Sequence, residues 1–176
     1  MRVLLDTHVF LWWIADDPQI SRTAHDVIQN GSNDLFLSAA SAWEMAIKAQ
    51  IGRLKLPRRP EVFVPEQLAR NAITHLPIQL GHALHVFTLP RHHRDPFDRM
   101  IIAQAQLEKL TILSSDSQFA KYAVDVVWKV PRRLTSRIIR LHVDAYVLPF
   151  GDYALTRWHG PAGPNGLLII DYSSNQ

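Results

Sequence analysis

Residues 2–14, RVLLDTHVFLWWI, contain an apolar run, an aspartate and a helical pattern in immediate succession. The apolar run at 2–5 predicts a short buried strand. Thr7 is a favourable N-cap for a helix over 7–14. The strand therefore ends on Asp6 at the entrance to a helix. Because working residues collect at the carboxyl ends of parallel strands, Asp6 becomes the first candidate site residue.

The same alternation of short strands and helices continues to about residue 128. Further strands are predicted at 35–38 (LFLS), 75–78, 111–114 (TILS) and 124–128 (VDVVW), and further helices at 21–30, 39–50, 61–73, 80–87, 95–109 and 117–122. Strands that alternate with helices favour an α/β domain with a central, mainly parallel sheet flanked by helices.

Composition places the chain among ordinary globular proteins. Of its 176 residues, 47% are hydrophobic and 20% are charged, which is enough to build the core of one domain. The absence of cysteine excludes disulfides and thiolate metal sites, and a reducing cytoplasm is the simplest location. The first residues have no signal-peptide pattern, and no apolar run approaches the ~20 residues that span a bilayer. We therefore expect a soluble, cytoplasmic protein with no membrane association.

Charge is distributed unevenly along the chain. The formal net charge is +3, but residues 1–128 carry 13 basic and 13 acidic side chains, whereas residues 129–176 carry six basic and three acidic ones. Bulk charge therefore gives no argument for nucleic-acid binding by the main part of the chain. We predict a folded domain over 1–128 and an atypical basic extension over 129–176. The extension is either an ordered element, with a strand at 143–150 or 167–172, or a poorly ordered tail with a flexible break at 160–166.

Four acidic residues are candidates for one common site: Asp6, Glu44, Asp98 and Asp116. Three of them belong to predicted strand-to-helix junctions, which meet at one edge of a parallel sheet. Converging carboxylates repel one another unless a multivalent cation neutralises them or some are protonated. All-oxygen ligands suit Mg²⁺ or Mn²⁺, and such ions activate water and stabilise the charge that develops on a phosphate. Phosphodiester hydrolysis is the reaction class that such a site favours, although spacing alone does not bring the acids together.

Each of these acids also has a structural explanation. Asp6 and Asp116 could cap the helices that follow them. Ser41 and Glu44 fit a capping box. Asp98, in the first turn of its helix, would be favoured by the helix dipole without any metal.

Four segments carry a family resemblance: LLDTHVFLWWI, SAASAWEMAIK, RDPFDRMIIAQA and ILSSD. In this order and spacing they resemble the PIN-domain ribonucleases, and in particular the VapC toxins of VapBC toxin–antitoxin modules. The resemblance covers residues 1 to about 128. It implies a PIN nuclease domain with a three-layer fold, in which the acids matching Asp6, Glu44, Asp98 and Asp116 coordinate one or two divalent metals. The resemblance further implies cleavage of structured RNA such as tRNA or rRNA, inhibition by a cognate antitoxin, and a homodimer.

Four neighbouring residues are expected to support this site. Ser115 matches a small hydroxyl residue of the family that often supports the metal site, and Ser38 is expected to play a similar orienting role. Asp95 stands ahead of Pro96 and is expected to cap its helix rather than bind metal. Arg99 either stabilises a phosphate or pairs with Asp95.

Basic residues near the site have two interpretations. The set consists of Lys48, Arg53, Lys55, Arg58, Arg59 and Arg94. As an RNA-binding rim they would supply salt-sensitive phosphate contacts without sequence specificity; otherwise they form a solvated face. His92 and His93 are adjacent, and neighbouring residues rarely bind one metal well, so a solvated basic loop is the preferred interpretation.

Three functional hypotheses follow. The first is a Mg²⁺- or Mn²⁺-dependent endoribonuclease toxin held inactive by a small antitoxin. The second is a PIN-type nuclease for RNA maturation or decay, without a toxin role. The third is an inactive PIN-like module that binds RNA or protein, against which the four intact acids argue.

Overall fold

The computed structural model describes residues 1–128 in full and the backbone of residues 153–160 and 163–171. The main strands are β1 (Arg2–Leu5), β2 (Asp34–Ser38), β3 (Ile73–Leu76), β4 (Thr111–Leu113) and β5 (Val126–Val127). The helices are α1 (Thr7–Ile14), α2 (Arg22–Gln29), α3 (Ala39–Gln50), α4 (Pro60–Arg70), α5 (Leu80–His85) and α6 (Pro96–Glu108), with 3₁₀ turns at Val86–Thr88 and Phe119–Lys121. Within this described part, no helix combines the length and apolarity needed to cross a bilayer.

The strands form one parallel sheet in the order β3-β2-β1-β4-β5. Leu5 at the end of β1 is in register with Leu37 of β2 and with Leu113 of β4. The backbone N–H of Asp6 donates to the carbonyl of Leu113 at 3.1 Å, which continues the pairing past the end of β1. Since every pairing is parallel, the carboxyl ends of the strands lie at the same edge of the sheet.

Helices cover both faces of this sheet. Alternate residues of β1 point to opposite faces, because side chains alternate along a strand. Val3 and Leu5 belong to one buried cluster together with Phe10 of α1. Leu4 belongs to a second cluster together with Ile102 of α6. The predicted three-layer α/β domain with a parallel central sheet is confirmed.

The boundaries of several elements differ from the sequence predictions. β3 covers 73–76 rather than 75–78, and Pro77, which has no N–H to offer a neighbouring strand, follows its last residue. The helix predicted at 61–73 ends at Arg70, because Ala72 takes a left-handed conformation with φ 52°. Between 117 and 122 the chain forms only a 3₁₀ turn.

The C-terminal part contains a β-hairpin, formed by β6 (Tyr153–Gly160) and β7 (Gly163–Asp171). These strands pair with each other in a separate two-stranded sheet. Residues 167–171 of the strand predicted at 167–172 therefore belong to the longer strand β7, which pairs with β6, and residues 163–166 of the predicted break belong to it as well. The strand predicted at 143–150 lies outside the described residues.

Gln104 ties α6 to the end of β2 inside the core. Its side chain is fully buried; the Oε1 atom accepts from Ser38 Oγ at 2.6 Å, and the Nε2 atom donates to the carbonyl of Pro77 at 3.1 Å. We expect Gln104→Leu to lower the free energy of unfolding by about 1–3 kcal/mol, because it leaves two buried polar groups without this partner. Urea denaturation measures the change. Gln50→Leu, at an exposed position of α3, is the control and should stay within about 0.5 kcal/mol of wild type.

Candidate metal centre

Asp6 lies at the carboxyl edge of the sheet, between β1 and α1. It is buried, and its Oδ2 atom accepts a hydrogen bond from Ser114 Oγ at 2.6 Å. Burial raises the pKa of Asp6, and the negative charge of Glu44 raises it further, whereas His8 and the Ser114 hydroxyl act in the lowering direction. Asp6 occupies the N-cap position of α1. Its buried carboxyl group also binds Ser114, which is distant in the sequence, so capping alone does not explain this residue.

Glu44 is the sixth residue of α3, well inside the helix. The helix begins after Ser38, whose Oγ accepts the N–H of Ala40 at 2.9 Å. Ser41 is therefore not the cap, and the capping-box explanation for Glu44 does not apply. Glu44 is 4% exposed, and its Oε1 atom pairs with Lys48 Nζ at 2.7 Å, one turn along the helix.

Asp98 lies in the first turn of α6 and is where the acids converge. Burial raises its pKa to about 9, and the negative charges of Asp6, Asp95, Glu44 and Asp116 contribute in the same direction. Charges act on one another in this way only when they are close. The structure therefore brings together the four acids predicted from the sequence.

Asp116 follows β4 and is linked to Asp6 through one serine. Its N–H donates to Ser114 Oγ at 3.0 Å, while that hydroxyl donates to Asp6. Its Oδ1 atom accepts the N–H of Gln118 at 2.7 Å, so the capping explanation is partly right for this acid. Ser114 is buried, whereas Ser115, the residue expected to support the site, is exposed. No local pattern distinguishes the two adjacent serines, because their roles depend on which of them faces β1.

His93 is a member of the site that the sequence interpretation missed. Its Nε2 atom lies 2.9 Å from Asp116 Oδ2, and its Nδ1 atom lies 3.3 Å from Asp98 Oδ2. The side chain is only 11% exposed, so the expectation of a solvated loop is wrong for this residue. It holds for His92, which is exposed. The signal available in the sequence was the position of His93 five residues before Asp98, just ahead of the helix.

The other residues that were expected to support the site stabilise the segments around it. Asp95 is the N-cap of α6 and accepts the N–H groups of Phe97 and Asp98 at 2.7 and 3.4 Å. The guanidinium of Arg99 donates to the carbonyls of Pro90, Val86 and Leu89. These contacts match neither of the two roles expected for Arg99. They hold the preceding segment against α6. Ser38 caps α3 and donates to Gln104.

The basic residues of the expected rim fall into two groups. Lys48 pairs with Glu44, Arg58 pairs with Glu66 at 2.8 Å, and Arg59 pairs with Glu61 at 2.7 Å. The exposed residues Arg53, Lys55 and Arg94 form the second group. Arg94 lines a cleft of about 560 Å³ together with His92, His93, Asp95 and Gln118.

The donor set of this site fits a divalent cation. His93, Asp98 and Asp116 each offer one ligand atom, and these atoms lie within 4.8 Å of one another. Carboxylates with raised pKa values gain their charged form when a cation is bound beside them. Among the described residues, the buried hydroxyls of Thr7 and Ser41 have no hydrogen-bond partner. Thr7 directly follows Asp6, and Ser41 lies one helical turn before Glu44. Water around a bound cation would satisfy both hydroxyls.

Fold and site together define the class of protein. The family model described as the PIN domain matches residues 3–125, from within β1 to the residue before β5. The chain belongs to the PIN-domain family.

Within that family the chain is similar to VapC ribonucleases. Ribonuclease VapC22 of Mycobacterium tuberculosis is 35% identical over 104 residues, which cover 58% of this chain and 78% of the relative. Ribonuclease VapC16 of the same organism is 36% identical over 59 residues, which cover 34% of this chain and 42% of the relative.

Solved structures share the fold at lower identity. A DNA-bound VapBC from Salmonella typhimurium matches with a TM-score of 0.56 and 17% identity, covering 72% of this chain and 97% of the other. VapBC2 from Rickettsia felis, bound to a fragment of its promoter DNA, matches with a TM-score of 0.54 and 14% identity, covering 72% and 98%. The recognition of a VapC-like PIN domain from the sequence is confirmed.

Proposed function

We propose that this protein is an endoribonuclease that depends on Mg²⁺ or Mn²⁺ and acts in the cytoplasm as the toxin of a toxin–antitoxin module. Its substrate is structured RNA, such as tRNA or rRNA, in which it hydrolyses phosphodiester bonds. The observation that carries the proposal is the convergence of Asp6, Glu44 and Asp116 on Asp98 at the carboxyl edge of the sheet. The names of the relatives, which are VapC ribonucleases, support the same activity.

The acids have two proposed roles, which are metal binding and orientation of the water. Asp6, Asp98 and Asp116 would hold the metal, and Glu44 would help to bind it or orient the water. The bound ion supplies two things: a lower pKa for water and neutralisation of the charge that develops on the phosphate. Ser114 fixes the orientation of Asp6 through its 2.6 Å hydrogen bond. Lys48 pairs with Glu44 from one turn along α3.

RNA would approach over exposed cations of the domain. Arg53, Lys55 and Arg94 are exposed, and Arg94 lines the cleft beside His93. Contacts of this kind bind phosphate without reading the sequence and weaken as the salt concentration rises. Selection of one RNA would therefore depend on the shape of the RNA more than on these side chains.

The proposed partners are a cognate antitoxin and a second copy of the chain. Several structural neighbours are VapBC complexes by name, which supports an antitoxin partner. A PIN nuclease of RNA maturation or decay would have the same site without such a partner. Expression of the chain in a bacterial host, with and without any small open reading frame that adjoins its gene, separates the two functions. Growth arrest relieved by the neighbour supports the toxin, and unaffected growth contradicts it.

The activity is tested by cleavage of total cellular RNA with the purified full chain. Reactions contain Mg²⁺, Mn²⁺ or EDTA, and Asp98→Asn is run in parallel. We expect cutting at a few discrete sites that requires the metal and disappears in the variant. Cutting that persists in EDTA or in Asp98→Asn would contradict the proposal. So would inactivity with either metal, provided that mass spectrometry finds no co-purified protein.

Ser114→Ala tests the support of Asp6. We expect cleavage to fall about 10–100-fold, since the loss of an outer contact that orients a metal ligand has effects of this size. The dissociation constant for Mn²⁺ should rise in parallel. Ser115→Ala is the matched control, because it removes the hydroxyl of the adjacent serine, which is exposed. If Ser115→Ala is the damaging change, Ser115 supports the site as its sequence position predicts.

A further inference from the structure

We propose that His93 is a direct ligand of the metal centre, and that its nitrogen makes the centre prefer Mn²⁺ to Mg²⁺. This inference rests on the proposed metal-dependent function and adds one residue and one preference to it.

The first support is the position of the imidazole ring. It stands between two of the acids, with Nε2 2.9 Å from Asp116 Oδ2 and Nδ1 3.3 Å from Asp98 Oδ2. Neighbouring ligands on an octahedral ion with bonds of ~2.1 Å are separated by about 3 Å. The Nε2 and Oδ2 atoms therefore already have the separation of two ligands on one ion. The second nitrogen lies beside Asp98 Oδ2, and His93, Asp98 and Asp116 keep their candidate ligand atoms within 4.8 Å of one another.

The second support is the way in which the backbone of His93 is held. Its N–H donates to the hydroxyl of Tyr122 at 2.7 Å, and that hydroxyl donates to the carbonyl of Pro90 at 3.2 Å. Arg99 donates to the same carbonyl at 2.7 Å. Tyr122 is itself buried, at 6% exposure. The segment that carries the ring is thus fixed from two sides, so the ring needs no rearrangement to meet a cation.

An ion pair without metal is the competing explanation of the same geometry. A histidine between two carboxylates could simply reduce their repulsion. In that case the ring would leave or move aside when a cation takes over its role. The fixed backbone argues against displacement, and so does the contact of the ring with Phe119, whose centroid lies 5.6 Å away and which displacement would give up.

A nitrogen ligand changes the metal preference. Carboxylate, carbonyl and water oxygens suit both Mg²⁺ and Mn²⁺. Mn²⁺ is the first ion of the first-row transition series, in which affinity for nitrogen ligands rises, so it accepts an imidazole nitrogen more readily than Mg²⁺ does. A site with carboxylate ligands alone would discriminate little between Mn²⁺ and Mg²⁺ by ligand type. With His93 included, we expect Mn²⁺ to bind more tightly than Mg²⁺, and this difference to shrink when the imidazole is removed.

Pulsed electron paramagnetic resonance tests the ligand directly. The full chain is stripped of metal and given less than one equivalent of Mn²⁺, and the coupling of the Mn²⁺ electron spin to a bonded ¹⁴N nucleus is recorded. His93→Asn and His93→Gln are compared with wild type, and two variants are used in case one does not fold. His92→Asn is the matched control, since it removes an adjacent, exposed imidazole. Dissociation constants for Mn²⁺ and Mg²⁺ are measured on the same samples.

The expected result is nitrogen coupling in wild type and in His92→Asn that is absent from both His93 variants. The dissociation constant for Mn²⁺ should rise at least about tenfold, and that for Mg²⁺ by less. Affinity alone would not decide the question, because outer contacts of a ligand also change affinity about 10–100-fold. Mn²⁺ bound without nitrogen coupling, or with coupling that survives in the His93 variants, overturns this inference and leaves the proposed function intact. Failure of wild type to bind Mn²⁺ or Mg²⁺ overturns both.

Discussion

Asp6→Asn is expected to reduce RNA cleavage about a thousandfold with little change in the fold. Loss of a metal ligand removes charge stabilisation of several kcal/mol in the transition state, and each 1.36 kcal/mol is about tenfold in rate. Asparagine retains an oxygen that can accept from Ser114, so the hydrogen bond at 2.6 Å has a replacement. Single-turnover cleavage of a mapped RNA substrate measures the effect.

Two controls accompany this substitution. Asp34→Asn changes an exposed acid at the start of β2, the opposite edge of the sheet, and should cleave at the wild-type rate. In EDTA, Asp6→Asn should unfold at a temperature no lower than wild type, because it removes a buried carboxyl group whose pKa is raised by burial and by Glu44. Cleavage by Asp6→Asn as fast as by wild type would mean that the metal-site assignment is wrong.

The second large effect is the dependence of stability on pH in the absence of metal. The pKa of Asp98 is about 9 in the folded protein, against 3.8 for an ordinary aspartate. Between these values the folded state holds a proton that the unfolded state has released. The proton on Asp98 therefore contributes its full stabilisation of the folded state below about pH 4, and this stabilisation is lost as the pH rises toward 9. Since each pKa unit corresponds to 1.36 kcal/mol, the change amounts to several kcal/mol.

Asp98→Asn isolates this contribution from the other titrating groups of the site, which are Asp6, Glu44, Asp95, Asp116 and His93. In EDTA between pH 5 and 9, the urea midpoint of wild type should fall with rising pH, and that of Asp98→Asn should fall much less. With Mn²⁺ present the wild-type trend should weaken or reverse, because metal binding requires deprotonated ligands and strengthens as they lose protons. Equal slopes for wild type and Asp98→Asn in EDTA would contradict the raised pKa.

Much of the fold could be predicted because it depends on local patterns. The run at 2–5, the apolar segment at 111–114 and the capped helix beginning at Pro96 each carry their own signal, and all three elements form. Boundaries were less predictable where neighbours decide them. The left-handed turn at Ala72, for example, ends α4 earlier than its composition indicates.

The acids of the site could be predicted for a different reason. Asp6, Glu44 and Asp116 follow strands, and parallel strands bring their carboxyl ends together whatever the sequence between them. The contacts that arrange these acids are specific to the packed structure. Ser114 rather than Ser115 meets Asp6 across 108 residues of chain. The ring of His93 enters the site because Tyr122 and Arg99 hold the segment before α6, and no local pattern encodes that contact.

The distance along the chain between Asp6 and Ser114 has a consequence for synthesis. The residues that complete the site come from the first strand and from the loop after the fourth, so a nascent chain lacks a complete site until residue 116 has left the ribosome. If the protein cuts RNA, the ribosome that makes it is therefore not exposed to a working active site while the first hundred residues emerge. The antitoxin proposed above would have this interval in which to reach its target.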